Sequence, residues 1–208
     1  MGLPPSSSDD EPMLVIDTSI VINLNATKCA EEILRAFPHR LVVLDLVAAE
    51  LECGRPKGRQ DANLLAELVK ADLVGMVKLG EQGLLHFESL VIGAATETLD
   101  DGEAATIAYA LEANARAIVD ERKAIRLCAA RFPHLSLGCT VDLLAHSAVQ
   151  NALGLRRLAE AVHGALLDAR MRVLPHHIDW VVKLIGDARA SECACLPDLV
   201  RRQARERL

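Results

Sequence analysis

The chain is poor in aromatic residues: one Trp, one Tyr and three Phe among 208 positions, although half of all residues are apolar. Ala and Leu carry most of that apolar content, which suits a helix-rich α/β protein and argues against a β-sandwich. Long hydrophobic runs are also missing. The longest candidate, around residues 84–95, is interrupted by His86 and Glu88, so no segment reads as a membrane span. The first twelve residues, MGLPPSSSDDEP, have neither the basic start nor the apolar stretch of a secretion signal and read as a disordered leader. A cytoplasmic protein with no membrane partner is the expectation. There is no G-x-x-x-x-G-K loop, which removes P-loop NTPases, and no G-x-S-x-G elbow, which removes that hydrolase class.

Six cysteines are present at positions 29, 53, 128, 139, 193 and 195, several within apolar helical pattern, and reduced buried thiols are the expected state. Cys193 and Cys195 form a C-x-C near His176 and His177, but the spacing matches no recognised four-ligand zinc pattern. The net charge of −6 is unevenly spread: residues 1–120 carry −11 and residues 121–208 carry +5. The basic second half could approach a polyanion, although a terminal helix such as RRQARERL is most often a solvated face.

What is present is an alternation of short apolar runs and longer helical patterns. Strands are expected at 13–17, 41–45, 73–79, 116–120 and, more weakly, 135–137. Helical spacing falls at 28–36, 46–53, 60–71, 82–97, 102–114 and 121–131. Such alternation indicates βαβ units and a parallel sheet covered by helices. Helical patterns at 140–153, 155–170, 176–188 and 197–207 come after these with no further strand. The expected organisation is a leader at 1–12, an α/β domain at 13–150 and a helical C-terminal extension at 151–208.

Two strands end in an aspartate that turns into a helix: Asp17 in LVIDTSIVI and Asp120 in AIVDERKAIRL. Either alone reads as a helix N-cap. Together they sit where open parallel sheets gather functional groups, outside the carboxyl ends of strands near the switch in strand order. Glu50, in LVAAELECG, is expected on or near a buried face, with Asp45 as the N-cap of its helix. Glu103, in DDGEAATIAYALE, shares a packed stripe with Ile107 and Ala110. A capping box with Asp100 is the bland account of it. Converging carboxylates without matched Lys or Arg repel, so one stays protonated or a divalent cation neutralises the group. An all-oxygen donor set suits Mg²⁺ or Mn²⁺, and such a site suits phosphodiester hydrolysis.

Taken in order, LVIDTSIVINL, AAELECG, DDGEAATIAYALE and ARAIVDERKAIRLC resemble a PIN domain, and within that family the prokaryotic subgroup near VapC-type toxin ribonucleases. The resemblance covers about residues 13–150. It implies a three-layer α/β/α sandwich with a five-stranded parallel sheet, carrying a Mg²⁺- or Mn²⁺-dependent endoribonuclease centre. It places the catalytic acids on Asp17, Glu50, Glu103 and Asp120, with Asp17, Glu103 and Asp120 as metal ligands, Ser19 as support and Glu121 as an extra acid. RNA is the implied substrate; a small antitoxin and a homodimer are the implied partners. Arg55, Lys57 and Arg59 in CGRPKGRQ, with Lys123 after Asp120, are the candidate phosphate contacts. Ordinary solvated charge is their bland account.

Other enzymes with Asp at a strand end fit less well. A haloacid-dehalogenase-type phosphatase needs D-x-D where Asp17-Thr18-Ser19 stands, and a receiver domain needs paired acids and a late Lys. The alternative that remains is a catalytically silent PIN-like module binding RNA or protein.

Overall fold

The computed structural model describes residues 13–208, so the leader expected at 1–12 lies outside the described residues. Five short strands form one parallel sheet in the order β3-β2-β1-β4-β5, with β1 at Leu14–Ile16, β2 at Leu41–Leu44, β3 at Val74–Val77, β4 at Arg116–Ile118 and β5 at Leu137–Gly138. The chain starts in the middle, builds outward through β2 and β3, then returns to the other side of β1 for β4 and β5. The switch in strand order therefore falls between β1 and β4. Both strands are apolar because helices cover both faces of a parallel sheet; Val15, Ile16, Ala117 and Ile118 are all buried.

The helices are α1 (Thr18–Ala26), α2 (Ala30–Ala36), α3 (Asp45–Glu52), α4 (Asp61–Lys70), α5 (Glu81–Val91), α6 (Asp101–Glu112), α7 (Arg122–Arg131), α8 (Thr140–Leu144), α9 (Ser147–Asp168), α10 (Ile178–Ile185), α11 (Asp187–Glu192) and α12 (Asp198–Glu206). The fold is the expected α/β arrangement. Several boundaries differ from the sequence pattern for identifiable reasons. The helix expected at 82–97 stops at Val91, because Gly93 takes φ +144° and the chain turns into an irregular link before α6. The break expected between 153 and 155 falls at Gly154, which holds φ +69° inside α9. That left-handed conformation is one glycine reaches without steric cost.

Two helices, α1 and α6, shape the carboxyl edge of the sheet. α1 buries Ile20, Val21 and Leu24, which fixes the chain direction immediately after Asp17. α6 contacts β1, β2 and β4 and buries Gly102, Ala104, Ala105, Thr106, Ile107, Ala108 and Ala110. Its small residues let a helix lie almost wholly inside the protein. Running back from the carboxyl edge of the sheet to the start of β4, it presents its first turn at that edge. On the other side, α9 packs against α1 and α2. Gly164 permits a close approach there, since a Cβ at that position would lie 2.8 Å from the Ala26 carbonyl oxygen. Among the described residues, no helix is long and apolar enough to cross a membrane.

Candidate active site

The register pairs Ile16 with Ile118, so the residues beyond β1 and β4 leave the sheet side by side. Asp17 and Asp120 both lie there and are 2 % and 3 % exposed, an unusual depth for two carboxylates. Asp17 is the N-cap of α1: its Oδ1 accepts the Ile20 N–H at 2.9 Å, and the Ser19 hydroxyl donates to Oδ1 at 2.9 Å and Oδ2 at 3.2 Å. The cap and the candidate catalytic carboxylate are thus the same group. Asp120 is held by more distant residues. Thr140 donates its N–H to Oδ1 at 2.9 Å and its hydroxyl to Oδ2 at 2.5 Å, and Asn23 Nδ2 donates to Oδ2 at 2.8 Å. Asn23 also donates to Thr140 Oγ1 at 2.9 Å, closing a small buried network.

Glu50 and Glu103 flank this pair. The Thr18 hydroxyl donates to Glu50 Oε2 at 2.6 Å. Glu50 is exposed, not on a buried face as its neighbours suggested, because α3 turns Val47 and Leu51 inward and leaves Glu50 at the rim. Its carboxylate lies over Gly102, where a Cβ would come within 2.5 Å of Oε2. Glu103 is half-buried in the first turn of α6, beside the buried Ile107 and Ala110. Asp100 is the N-cap of α6 but makes no side-chain cap bond, so the capping-box account of Glu103 does not hold. Asp45 likewise occupies the first position of α3, with Leu44 as N-cap, and accepts the Leu46 N–H.

The electrostatics reflect this crowding. Burial pushes Asp17 up to about 7; the Ile20 N–H and Ser19 hydroxyl pull it down, and Asp120 and Glu50 add repulsion. Burial also pushes Glu103 up to about 7, with Asp17, Glu121 and Asp100 adding to the rise and Lys123 opposing it. Asp120 is raised by burial against the bonds from Thr140 and Asn23. Among the described residues, no Lys or Arg forms an ion pair with Asp17, Glu50, Glu103 or Asp120. Buried mutual repulsion without a basic partner is the condition that a hard divalent cation relieves, and the oxygen-only donor set fits Mg²⁺ or Mn²⁺. The acids do not crowd onto one point: they form no group of three donors within 4.8 Å of one another. The spacing therefore fits an ion that keeps several waters and takes one or two carboxylates directly.

The remaining candidates are scattered over several elements. Glu121 is the N-cap of α7, accepting the Lys123 N–H, and is ion-paired with Arg172. Lys123 Nζ donates to the Ala95 carbonyl at 2.6 Å. With Arg126 and Arg131 it lines a cavity of about 560 Å³. Arg55 is ion-paired with Glu52, while Lys57 is exposed on a short 3-10 turn at Arg55–Lys57. Arg59 lines a separate cavity of about 540 Å³ with Asp61 and Arg170. Sequence reasoning missed Asn23, Thr140 and Thr18, the residues that orient Asp120 and Glu50. The one available signal was an amide inside the apolar run SIVINLNA. The C-x-C does not assemble with the histidines: Cys193 Sγ donates to the Arg189 carbonyl and Cys195 Sγ to the Leu166 carbonyl.

No curated protein matches the chain. Among solved structures, it is similar to a chain of VapBC2 from Rickettsia felis bound to a DNA fragment from their promoter. That match has 16 % identity and a TM-score of 0.42, and it covers 61 % of this chain and 98 % of the other. A family model described as DUF3368, PIN domain, matches residues 13–187, which include both strand-end aspartates, Glu50 and Glu103. The chain belongs to the PIN-domain family.

Proposed function

We propose that this protein is a divalent-metal-dependent endoribonuclease that hydrolyses RNA phosphodiesters. The observation that carries the reading is the pair of buried aspartates, Asp17 and Asp120, at the switch point of the sheet with no basic partner and with Glu50 and Glu103 beside them. Asp17, Glu103 and Asp120 would hold Mg²⁺ or Mn²⁺. The bound ion supplies Lewis acidity toward a phosphoryl oxygen and toward water.

The chain's own groups do the rest. Asp17 and Asp120 are locked by their hydrogen bonds, so their oxygens need not reorganise when a substrate arrives. Glu103 is half-buried, with its pKa pushed up to about 7 by burial and by Asp17, Glu121 and Asp100, and a bound cation would hold it in the charged form. Glu50, steadied by Thr18, adds negative charge at the rim. Lys123, Arg126 and Arg131 offer cationic contacts to the phosphates of a bound strand. Arg55, Lys57 and Arg59 extend that role on the loop after α3. In the same proposal the chain is the toxin of a toxin–antitoxin pair, silenced by a small antitoxin, and forms a homodimer.

Cleavage of single-stranded RNA with Mn²⁺, by wild type and by Asp17→Asn and Asp120→Asn, tests the reading. Activity confined to the wild type supports it; equal cleavage by the variants identifies a contaminant and defeats it. The alternative is a silent module in which the same acidic cluster serves to bind RNA or protein rather than to cleave. RNA retention without cleavage at any Mn²⁺ concentration would select it.

A further inference from the structure

Next to Thr140, three donors of different chemistry meet. Cys139 Sγ, a carboxylate oxygen of Asp142 and a ring nitrogen of His177 all lie within 4.8 Å of one another, and they are the one such group among the described residues. His177 Nε2 is 2.9 Å from Asp142 Oδ1. The other oxygen, Oδ2, is engaged, accepting the Cys139 N–H at 2.9 Å and lying 3.6 Å from the Arg116 guanidinium. Arg116 reaches it by crossing β5 at Gly138, where a Cβ would lie 2.9 Å from its Nε. Asp142 is thus oriented by its surroundings, with Oδ1 turned to His177. Cys139 is 1 % exposed, whereas the side chains of Asp142 and His177 are 33 % and 16 % exposed, so the cluster is closed on the protein side and reachable from outside.

A capping box at the start of α8 accounts for part of this arrangement: Cys139 Sγ accepts the Asp142 N–H and Asp142 returns a bond to the Cys139 N–H. It does not account for the sulfur, which is a poorer cap than Ser or Asp, or for a histidine brought in from 35 residues away. We propose that Cys139, Asp142 and His177 bind one Zn²⁺. Thiolate, imidazole and carboxylate together suit zinc and disfavour Mg²⁺, and three protein ligands leave the fourth position of the tetrahedron to water. Binding displaces the Cys139 thiol proton to solvent. The ion fastens the turn at Pro175–His177, which leads into α10, to the end of β5. Zinc binding at this place is independent of the nuclease reading.

The test uses the full reduced chain, stripped of metal and titrated with Co²⁺ alone, then with Zn²⁺. One equivalent of Co²⁺ should give a thiolate-to-cobalt absorption with tetrahedral visible bands, and Zn²⁺ should displace it. Cys139→Ser should abolish the thiolate band, His177→Gln should weaken binding at least tenfold, and Asp17→Asn should leave both unchanged. Zn²⁺ should raise the melting temperature of the wild type and not that of Cys139→Ser. A thiolate band that persists in Cys139→Ser would assign the ion to another cysteine and overturn the proposal. So would the absence of a band in the wild type, or affinity unchanged in His177→Gln.

Discussion

Asp17 and Asp120 occupy equivalent places at the ends of neighbouring strands and are buried to the same depth, yet they are held in opposite ways. Asp17 is oriented by its own helix, through residues two and three positions ahead. Asp120 depends on Thr140, 20 residues later, and Asn23, 97 residues earlier. A carboxylate oriented locally keeps its geometry wherever its strand and helix form. One oriented by remote side chains keeps it only while the whole sheet is assembled, and its environment is correspondingly sensitive to substitution.

The largest effect expected is the loss of either carboxylate charge. Asp17→Asn and Asp120→Asn should each lower the rate of Mn²⁺-dependent RNA cleavage by about a thousandfold, measured in single turnover. Substantial activity in one of them would end the equivalence of the pair. Next come the supports, which separate the two. Thr140→Val removes a donor to Asp120 and an acceptor for Asn23, leaving both buried groups with fewer hydrogen bonds. It should cost about 1–3 kcal/mol of stability and about 10–100-fold in activity. Ser19→Ala leaves Asp17 its Ile20 N–H and should cost less on both measures; equal losses would show that local and remote support do not differ.

A third measurement concerns pH. Asp17 has its pKa raised from 3.8 to about 7, so the folded state binds the proton more tightly than the unfolded chain does. The associated stability is fully present below 3.8 and is lost as pH rises through about 7, amounting to about 4 kcal/mol. In chelator, the urea midpoint should therefore fall between pH 5 and 8. Asp17→Asn should flatten the slope, and saturating Mn²⁺ should raise the midpoint most at the alkaline end. The smallest effect is expected from Gly102→Ala, whose Cβ would meet the flexible end of Glu50. Displacing that carboxylate should lower cleavage several-fold with little change in melting temperature.

The same contrast explains what could be read from the residues alone. The five strands, the two strand-end aspartates and Glu103 were legible because alternating apolar runs and their terminating acids are local signals. The helix break at Gly154 was legible for the same reason. Glu50 was placed on the right helix but given the wrong environment, since Ala48 and Ala49 beside it look buried while the helix rotates Val47 and Leu51 inward. Asn23, Thr140 and the meeting of Cys139 with His177 were not legible. Each is created by packing between segments distant in the chain, and no spacing within one segment encodes it. His176 and His177 lie near the C-x-C in sequence, whereas the fold turns His177 toward a cysteine 38 positions earlier.

The bridge from Asn23 through Thr140 to Asp120 also sets an order of events during synthesis. Asp120 cannot be oriented until β5 has paired with β4 and the residue after Cys139 has emerged, by which point most of the chain has left the ribosome. A growing chain that already contains all four acids therefore still lacks the side chain that aims one of them. Under the nuclease reading proposed above, the nascent polypeptide would lack one of its oriented carboxylates until most of the chain is made.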